Sequence, residues 1–320
     1  MNLFLPIILF VLGVILVVKG GDFFVDAASW IAERSGIPKI IIGATIVSLA
    51  TTMPELLVSV IAATDGKVDM SIGNAVGSVT ANIGLIMAIA LISMPGVIRR
   101  SNYLVKSVLM VVAALIITVC GFTGAVSLPF SVVLLLVFAV FMYENIHEAK
   151  KNITAKKSEN DENVPVSRKI LITNVAKFII GALCIVLGSQ LLVDNGSTLA
   201  RLAGVPERVI GVTLIAVGTS LPELITTITA IIKKQSSLSI GNILGANIMD
   251  LTLIMPLSAL ISGQALPVSS VLARIDLPFC LIVSLIAVVP AMIRSKFSRW
   301  QGIVLLAAYA GYVAFTCMAV

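Results

Sequence analysis

The chain has a single histidine and few charges. Asp, Glu, Lys and Arg make up 12% of its residues, against 58% apolar ones. One histidine excludes a zinc site built on two imidazoles. With no His-Glu-x-x-His segment and no serine–histidine pairing, the common hydrolase designs fall away too. That histidine, His147, stands between Glu144 and Glu148 and reads as a solvated residue at a helix end rather than a pH sensor. Cysteine is equally sparse. Cys120, Cys184, Cys280 and Cys317 are scattered through apolar segments with no paired spacing, which excludes a disulfide framework and leaves them as small buried hydrophobes. The apolar runs also lack the in-out alternation of barrel strands. The first run opens Met-Asn-Leu-Phe-Leu, without the basic residues that begin a signal peptide.

What is present is apolar length. Soluble domains carry charge on about 25% of residues, twice the share here. Runs long enough to cross a bilayer, roughly 17–25 residues each, lie near 3–27, 39–62, 70–93, 104–122, 127–146, 170–195, 207–232, 239–262, 271–293 and 300–319. The pattern predicts an all-α integral membrane protein with ten transmembrane helices. Its partner is the lipid bilayer. The net charge of +6 invites a nucleic-acid reading, but the distribution argues against one. With five spans on either side of an internal 147–169 segment, sixteen of the 22 Lys and Arg fall on one side. Only Lys67, Arg201, Arg208 and Arg274 fall on the other, while Lys19 and Lys177 lie within spans. This is the positive-inside bias. It predicts a multi-pass protein of the cell membrane with both termini extracellular and a cytoplasmic connection at 148–168.

The chain also repeats itself. Residues 43–56, GATIVSLATTMPEL, return at 211–224 as GVTLIAVGTSLPEL, and SIGNAVG at 71–77 returns as SIGNILG at 239–245. The offset is constant, since 211 − 43 = 168 and 239 − 71 = 168. Residues 22–86 align with 190–254 without a gap; Val25, Asp26, Ser29, Ala32, Gly36 and Pro38 recur as Val193, Asp194, Ser197, Ala200, Gly204 and Pro206. The first run therefore belongs to the repeat. The expected organisation is a five-helix repeat at 1–147, a polar tether at 148–168 and a second five-helix repeat at 169–320. Five is odd, so the second copy enters the membrane from the opposite side and the repeats are inverted.

Each copy sets a Pro-Glu pair inside an apolar run. Ionisable groups at that depth are costly and mark function. Thr51 and Glu55 are four apart and share a helix face; Thr52 lies one turn from Glu55 on a neighbouring face. Pro54 cannot donate to the Ala50 carbonyl and crowds that turn, so a kink or break is expected. Thr219, Ser220, Pro222 and Glu223 repeat the arrangement. The third span adds Ser78 and Asn82; their equivalents in the eighth are Ala246 and Asp250. Glu55, Glu223 and Asp250 are up to three buried negative charges. They require neutralisation by a metal ion, by several monovalent ions or by protons. Carboxylate, hydroxyl and carbonyl oxygens are what Na⁺ or Ca²⁺ prefers. Competition of a divalent ion and monovalent ions for the same carboxylates is a physical basis for exchange. Asp26 and Asp194 read as helix-end caps, with a role in admitting ions as the other reading. A proton-sharing acid pair, as in aspartyl proteases, would leave the repeated hydroxyls and Gly-Asn segments unexplained. A passive channel would show flux insensitive to the counter-ion.

GATIVSLATTMPELLVS and GVTLIAVGTSLPELITT resemble the two alpha-repeats of the sodium/calcium exchanger family, within the calcium/cation antiporter superfamily. SIGNAVGSVTANIG and SIGNILGANIMDLT complete them. The resemblance covers about two-thirds of each half. It implies ten helices in inverted repeats and exchange of Ca²⁺ for several Na⁺, with no cofactor and no protein partner. It makes Glu55 and Glu223 the central ligands, Thr51 and Thr219 further oxygen donors, and Ser78, Asn82 and Asp250 flanking residues. Backbone carbonyls near Ser48 and Ala216 are expected to contribute, and the first and sixth helices to slide as a pair. The chain departs from the family pattern at Ala50, at Ser48 in place of a usual Ala, and at Ala246 in place of a usual Ser. Proton-coupled relatives carry Gly-Asn-x-x-Glu, whereas these glutamates follow Thr-x-x-Pro, which favours Na⁺; coupling to H⁺ or K⁺ is the alternative. The large regulatory calcium-binding domains of animal members have no room in the short tether.

Overall fold

A computed structural model describes residues 4–96, 100–159, 167–204 and 218–319. The chain is an all-α membrane protein with ten transmembrane helices. α1 is Phe4–Ser35, α2 Lys39–Thr64, α3 Val68–Ser93, α4 Arg100–Thr123 and α5 Leu128–Glu159. α6 is Arg168–Leu202, α7 Leu221–Ile232, α8 Ser236–Ser262, α9 Leu272–Arg294 and α10 Arg299–Ala319. Eight of these are long and apolar enough to cross a membrane by length and composition. α10, at 21 residues, reaches about 30 Å at 1.5 Å per residue. α7 has 12 residues, and most of the run expected before it, 205–217, lies outside the described residues.

Helix ends follow local chemistry. Gly36 and Gly204 are repeat equivalents, and both adopt left-handed φ (75° and 81°) just after α1 and α6. A Cβ would be strained there, and Pro38 and Pro206 follow. α5 runs on to Glu159, so the first part of the expected 148–168 tether is helix rather than an irregular link. Its 160–166 stretch lies outside the described residues.

The chain divides into two compact units, Met1–Thr51 with Tyr143–Asn242, and Thr52–Met142 with Ile243–Val320. In the first, α1 and α6 run antiparallel with their backbones nearly touching. A Cβ on Gly13 would lie 3.0 Å from the Gly188 carbonyl oxygen, and one on Gly20 2.9 Å from that of Gly181. Small residues allow such close approach in membranes, where packing replaces the hydrophobic drive. Phe24, Val25, Ile42, Val47, Ile185 and Leu238 form the apolar core of this unit, and Phe24 and Phe178 meet at 4.6 Å. At the ends of the helices, Lys39 Nζ donates to Glu33 Oε1 (2.7 Å) and to Gln235 Oε1 (2.8 Å). Lys233 Nζ meets Asp26 Oδ1 at 2.8 Å and Asp22 Oδ1 at 3.2 Å. Asp26 is thus an ion-pair partner well inside α1, not the cap expected of it; Asp194 likewise lies inside α6.

In the second unit, α9 packs on α4, where Thr118 Oγ1 donates to the Leu277 carbonyl at 3.3 Å. α10 packs on α3 through Gly302 and Gly84, the latter under the Tyr309 ring. Pro290 has no N–H for the Ile286 carbonyl. Gln301 Nε2 supplies one at 3.0 Å and a second to Ala287 at 2.6 Å. Tyr312 stacks on Phe279 (4.4 Å between centroids) and its hydroxyl donates to Asp276 Oδ1 at 2.6 Å. Two short strands, β1 (Ala125–Val126) and β2 (Leu266–Pro267), pair antiparallel between loops. Lys106, counted above among the orienting charges, is fully buried within α4. His147 is exposed and stacks on Tyr143.

Candidate cation-binding site

The first signature helix, α2, is not uniform. Residues Gly43–Val47 form a π-helical turn, and α-helix resumes at Ser48. A chain of hydroxyls descends through it. Thr45 Oγ1 donates to Ile41 O (2.7 Å), Ser48 Oγ to Thr45 O (3.1 Å), and Thr51 Oγ1 lies 3.2 Å from Ser48 O. The Ser48 carbonyl, expected as an ion ligand, therefore faces the Thr51 hydroxyl. Thr51 Oγ1 is also 3.2 Å from Asn242 Oδ1 on α8. One hydroxyl proton serves two acceptors. Close packing makes this possible: any Cβ on Gly43 would collide with the Leu238 carbonyl, and one on Gly241 with that of Ile40.

Pro54 does not break α2. It sits within the continuous helix Ser48–Thr64. Its missing N–H weakens one turn without ending the helix, because the turns on either side stay bonded. The second copy differs. Thr219 and Ser220 form a turn, and α7 starts at Leu221 with Pro222 in its first turn. Pro is tolerated there, where its absent donor is not needed. Glu223 consequently lies at a helix N-terminus, whose exposed N–H groups favour a negative charge. Glu55 lies mid-helix and has no such aid. Ala216 falls outside the described residues.

The sequence-predicted site residues are nearly all buried, as are polar groups elsewhere such as Ser107, Ser131 and Gln301. Glu55, Glu223, Asn82 and Asp250 are each 1% exposed. Thr51, Thr52, Ser78, Ser220 and Ser48 are buried, while Thr219 is half-buried. Ala246 is fully buried. α3 and α8 are the most enclosed spans, with 78% and 83% of their apolar windows buried, against 22% for α1 and 11% for α6. In the second unit, Asn82 opens the π-turn Asn82–Met87 and Asp250 the π-turn Asp250–Ile254. Such turns expose backbone groups and recur at functional positions. Among the described residues, no group of three His, Cys, Asp or Glu side chains gathers closely enough to hold a metal ion. The Asn82 amide and the Ser220 hydroxyl have no hydrogen-bond partner among them.

Sequence reasoning passed over three further residues. Asn74 Nδ2 donates to the Glu55 carbonyl at 3.2 Å and to Ser59 Oγ at 2.9 Å. Asn242 accepts from Thr51, as described. The signal was available: Asn74 and Asn242 are the asparagines of the two repeated Gly-Asn segments, and Ser59 recurs as Thr227.

Residues 5–146 and 173–318 match the family described as sodium/calcium exchanger protein. The chain belongs to the sodium/calcium exchanger family. It is a transporter, not an enzyme. It is 33% identical over 94% of both chains to an uncharacterized membrane protein of Methanocaldococcus jannaschii. It is 29% identical to Sodium/calcium exchanger MaX1 of Methanosarcina acetivorans, covering 96% of this chain and 97% of that one. Among solved structures, it is similar to the sodium-calcium exchanger NCX_Mj soaked with Na⁺ and Sr²⁺. That likeness has a TM-score of 0.83 and 29% identity, over 98% of this chain and 99% of the other. This family member spans nearly the full length of these relatives.

Proposed function

We propose that this protein moves Ca²⁺ across the cell membrane against a counterflow of several Na⁺, through a site reached alternately from the two sides. Glu55 and Glu223 are the central ligands, one from each inverted repeat (1–147 and 169–320). The observation that carries the reading is the burial of two repeat-related glutamates, each in a Thr-x-x-Pro-Glu or Thr-x-x-Pro-Glu-like frame with hydroxyls a turn away. A buried carboxylate in lipid needs a compensating charge, and exchange of one divalent ion for monovalent ions supplies it in both half-cycles.

Since no three acidic side chains gather among the described residues, hydroxyl, amide and carbonyl oxygens complete the ligand set. Thr51 and Thr219 donate oxygens beside the glutamates. Thr52 and Ser220 stand next to them. Ser78, Asn82 and Asp250 flank, and the Ser48 and Ala216 carbonyls contribute from the backbone. The unpartnered Asn82 amide and Ser220 hydroxyl support this, because buried polar groups ordinarily find partners. Both termini lie outside the cell and the 148–168 connection inside.

The test is uptake of ⁴⁵Ca²⁺ into Na⁺-loaded proteoliposomes. Uptake above empty liposomes, abolished by collapsing the Na⁺ gradient, is the expected result; no excess uptake refutes the proposal. Ala246, where the family usually has Ser, favours testing K⁺ and H⁺ as coupling ions in the same vesicles. Uptake that requires K⁺, or that follows a pH gradient without Na⁺, would assign the coupling differently.

A further inference from the structure

The two Gly-Asn asparagines occupy equivalent places in the repeat, 242 − 74 = 168, yet they are bonded differently. Asn74 donates. Its Nδ2 reaches the Glu55 carbonyl (3.2 Å) and Ser59 Oγ (2.9 Å), and Ser59 in turn reaches the Ser71 carbonyl at 3.3 Å. Asn242 accepts. Its Oδ1 faces Thr51 Oγ1 at 3.2 Å, and its Nδ2 is buried without a partner. The counterpart of Ser59 is Thr227. It is fully buried, and its hydroxyl has no partner among the described residues. The asparagine–hydroxyl pair is bonded in one half of the repeat, while in the other the Asn242 amide nitrogen and the Thr227 hydroxyl are unsatisfied. Buried polar groups left unsatisfied are destabilising.

We infer that Asn74 and Asn242 are positioning residues of exchange, and that they trade roles between the two access states. This rests on the proposed alternating exchange. Inverted repeats are related by a pseudo-two-fold axis in the membrane plane, so exchanging the conformations of the two halves generates a state that faces the opposite side. Asn242 Nδ2 then donates to the Glu223 carbonyl and the Thr227 hydroxyl, and Asn74 takes the accepting role. Each asparagine steadies a glutamate's helix in one state and orients a hydroxyl in the other. A primary amide suits this, because it carries donor and acceptor on one planar group. The polar groups left bare in one state are bonded in the other, so neither state is strongly disfavoured. Small state differences keep both populated.

Ser59 and Thr227 provide the test, since neither belongs to the proposed ligand set. Ser59→Ala removes an acceptor used in the state described here. Thr227→Ala removes one used in the opposite state and relieves an orphan in this one. The apparent affinity at each membrane face scales with the fraction of protein in the state open to it. Half-saturating Ca²⁺ is measured by ⁴⁵Ca²⁺ exchange in oriented vesicles, at the outer and inner faces. The ratio of the two values should move in opposite directions in the two variants. The expected size is about two- to tenfold each, the range one net hydrogen bond supplies. Ser59→Thr and Thr227→Ser keep the hydroxyl and should restore the unaltered ratio. Shifts in the same direction, or an unmoved ratio in variants with native helical content, overturn the inference. If the unaltered protein shows no Na⁺-driven uptake, the proposed function fails and takes this inference with it. Uptake with an unmoved ratio overturns this inference alone.

Discussion

Asn82 and Asp250 each open a π-helical turn in the middle of a buried helix, at positions 250 − 82 = 168 apart. The backbone device is shared and the chemistry is not: one is a neutral amide, the other an acid. Whatever charge Asp250 contributes has no symmetric counterpart. Asp250→Asn makes the two positions chemically equal and removes one possible Na⁺ ligand charge. The Hill coefficient for Na⁺ in Na⁺-dependent Ca²⁺ uptake should fall while Ca²⁺ still binds at the glutamates. Unchanged cooperativity would remove Asp250 from the Na⁺ set.

Glu55→Gln and Glu223→Gln each delete one charge of the proposed ligand set and almost no volume. Both should reduce ⁴⁵Ca²⁺ uptake to the level of empty liposomes with helical content unchanged by circular dichroism. In the absence of Ca²⁺, Glu55→Gln should leave thermal stability equal or higher, because a mid-helix acid deep in the protein is replaced by a neutral group. Glu223→Gln should gain less, since the start of α7 already favours a negative charge there.

Ala246→Ser places a hydroxyl at a fully buried position, four residues before Asp250 and on the same helix face. If this position borders a Na⁺ site, half-saturating Na⁺ falls several-fold. The same half-saturation value in the variant would show that the missing oxygen is not used.

Much of the fold could be read from hydrophobic run lengths. The expected spans find the described helices, but α1, α5 and α6 run past their apolar stretches to Ser35, Glu159 and Leu202, and 205–217 lies outside the description. Apolar length reports burial in lipid, not where hydrogen bonding stops. The duplicated Thr-x-x-Pro-Glu frame pointed at residues that prove deeply buried. Pro54 does not break α2, because one lost donor in a long packed helix is absorbed. The π-turns at Asn82 and Asp250 were invisible: an extra residue per turn is set by what packs alongside, and no residue type encodes it. The repeated Gly-Asn segments marked Asn74 and Asn242, but the bonds of Asn242 and Lys233 join segments far apart in the chain, so no local pattern names their partners.

The α1–α6 contact makes a packing prediction. Gly20→Ala sets a methyl 2.7 Å from Cys184 Cβ and 2.9 Å from the Gly181 carbonyl. Backbone must shift, at about 1–3 kcal/mol for overpacking. A lowered thermal midpoint in detergent should follow, with a larger drop for Gly20→Leu. Equal midpoints for all three proteins would show that this contact yields freely.

Lys233 ties α1 to the end of α7 through Asp22 and Asp26. Burial pushes its ammonium pKa down, but the hydrogen bonds and charges of Asp26 and Asp22 more than reverse this, leaving it raised. A raised lysine contributes stability that is complete below its unfolded value, about 10.4, and is lost only as pH climbs through the higher folded value. Lys233→Met should therefore lower thermal stability by an amount that stays constant between about pH 6 and 9. A loss that varies across that window would contradict this account of the Lys233 ion pairs.

The small strand pair has a consequence for counting. β1 follows α4 and β2 follows α8, so the chain between Val126 and Leu266 leaves one face of the bilayer and returns to it. Gly96 O accepts from Phe297 N at 2.8 Å, joining the loops after α3 and α9, and Lys39 joins the start of α2 to Gln235 after α7. Each stitch closes a circuit that must contain an even number of crossings. With every helix counted, the circuits hold four, six and six. If the passage containing α7 failed to cross, all three would be odd at once. Three short contacts thus act as a parity check on the helix count, and an even number in all three agrees with ten crossings.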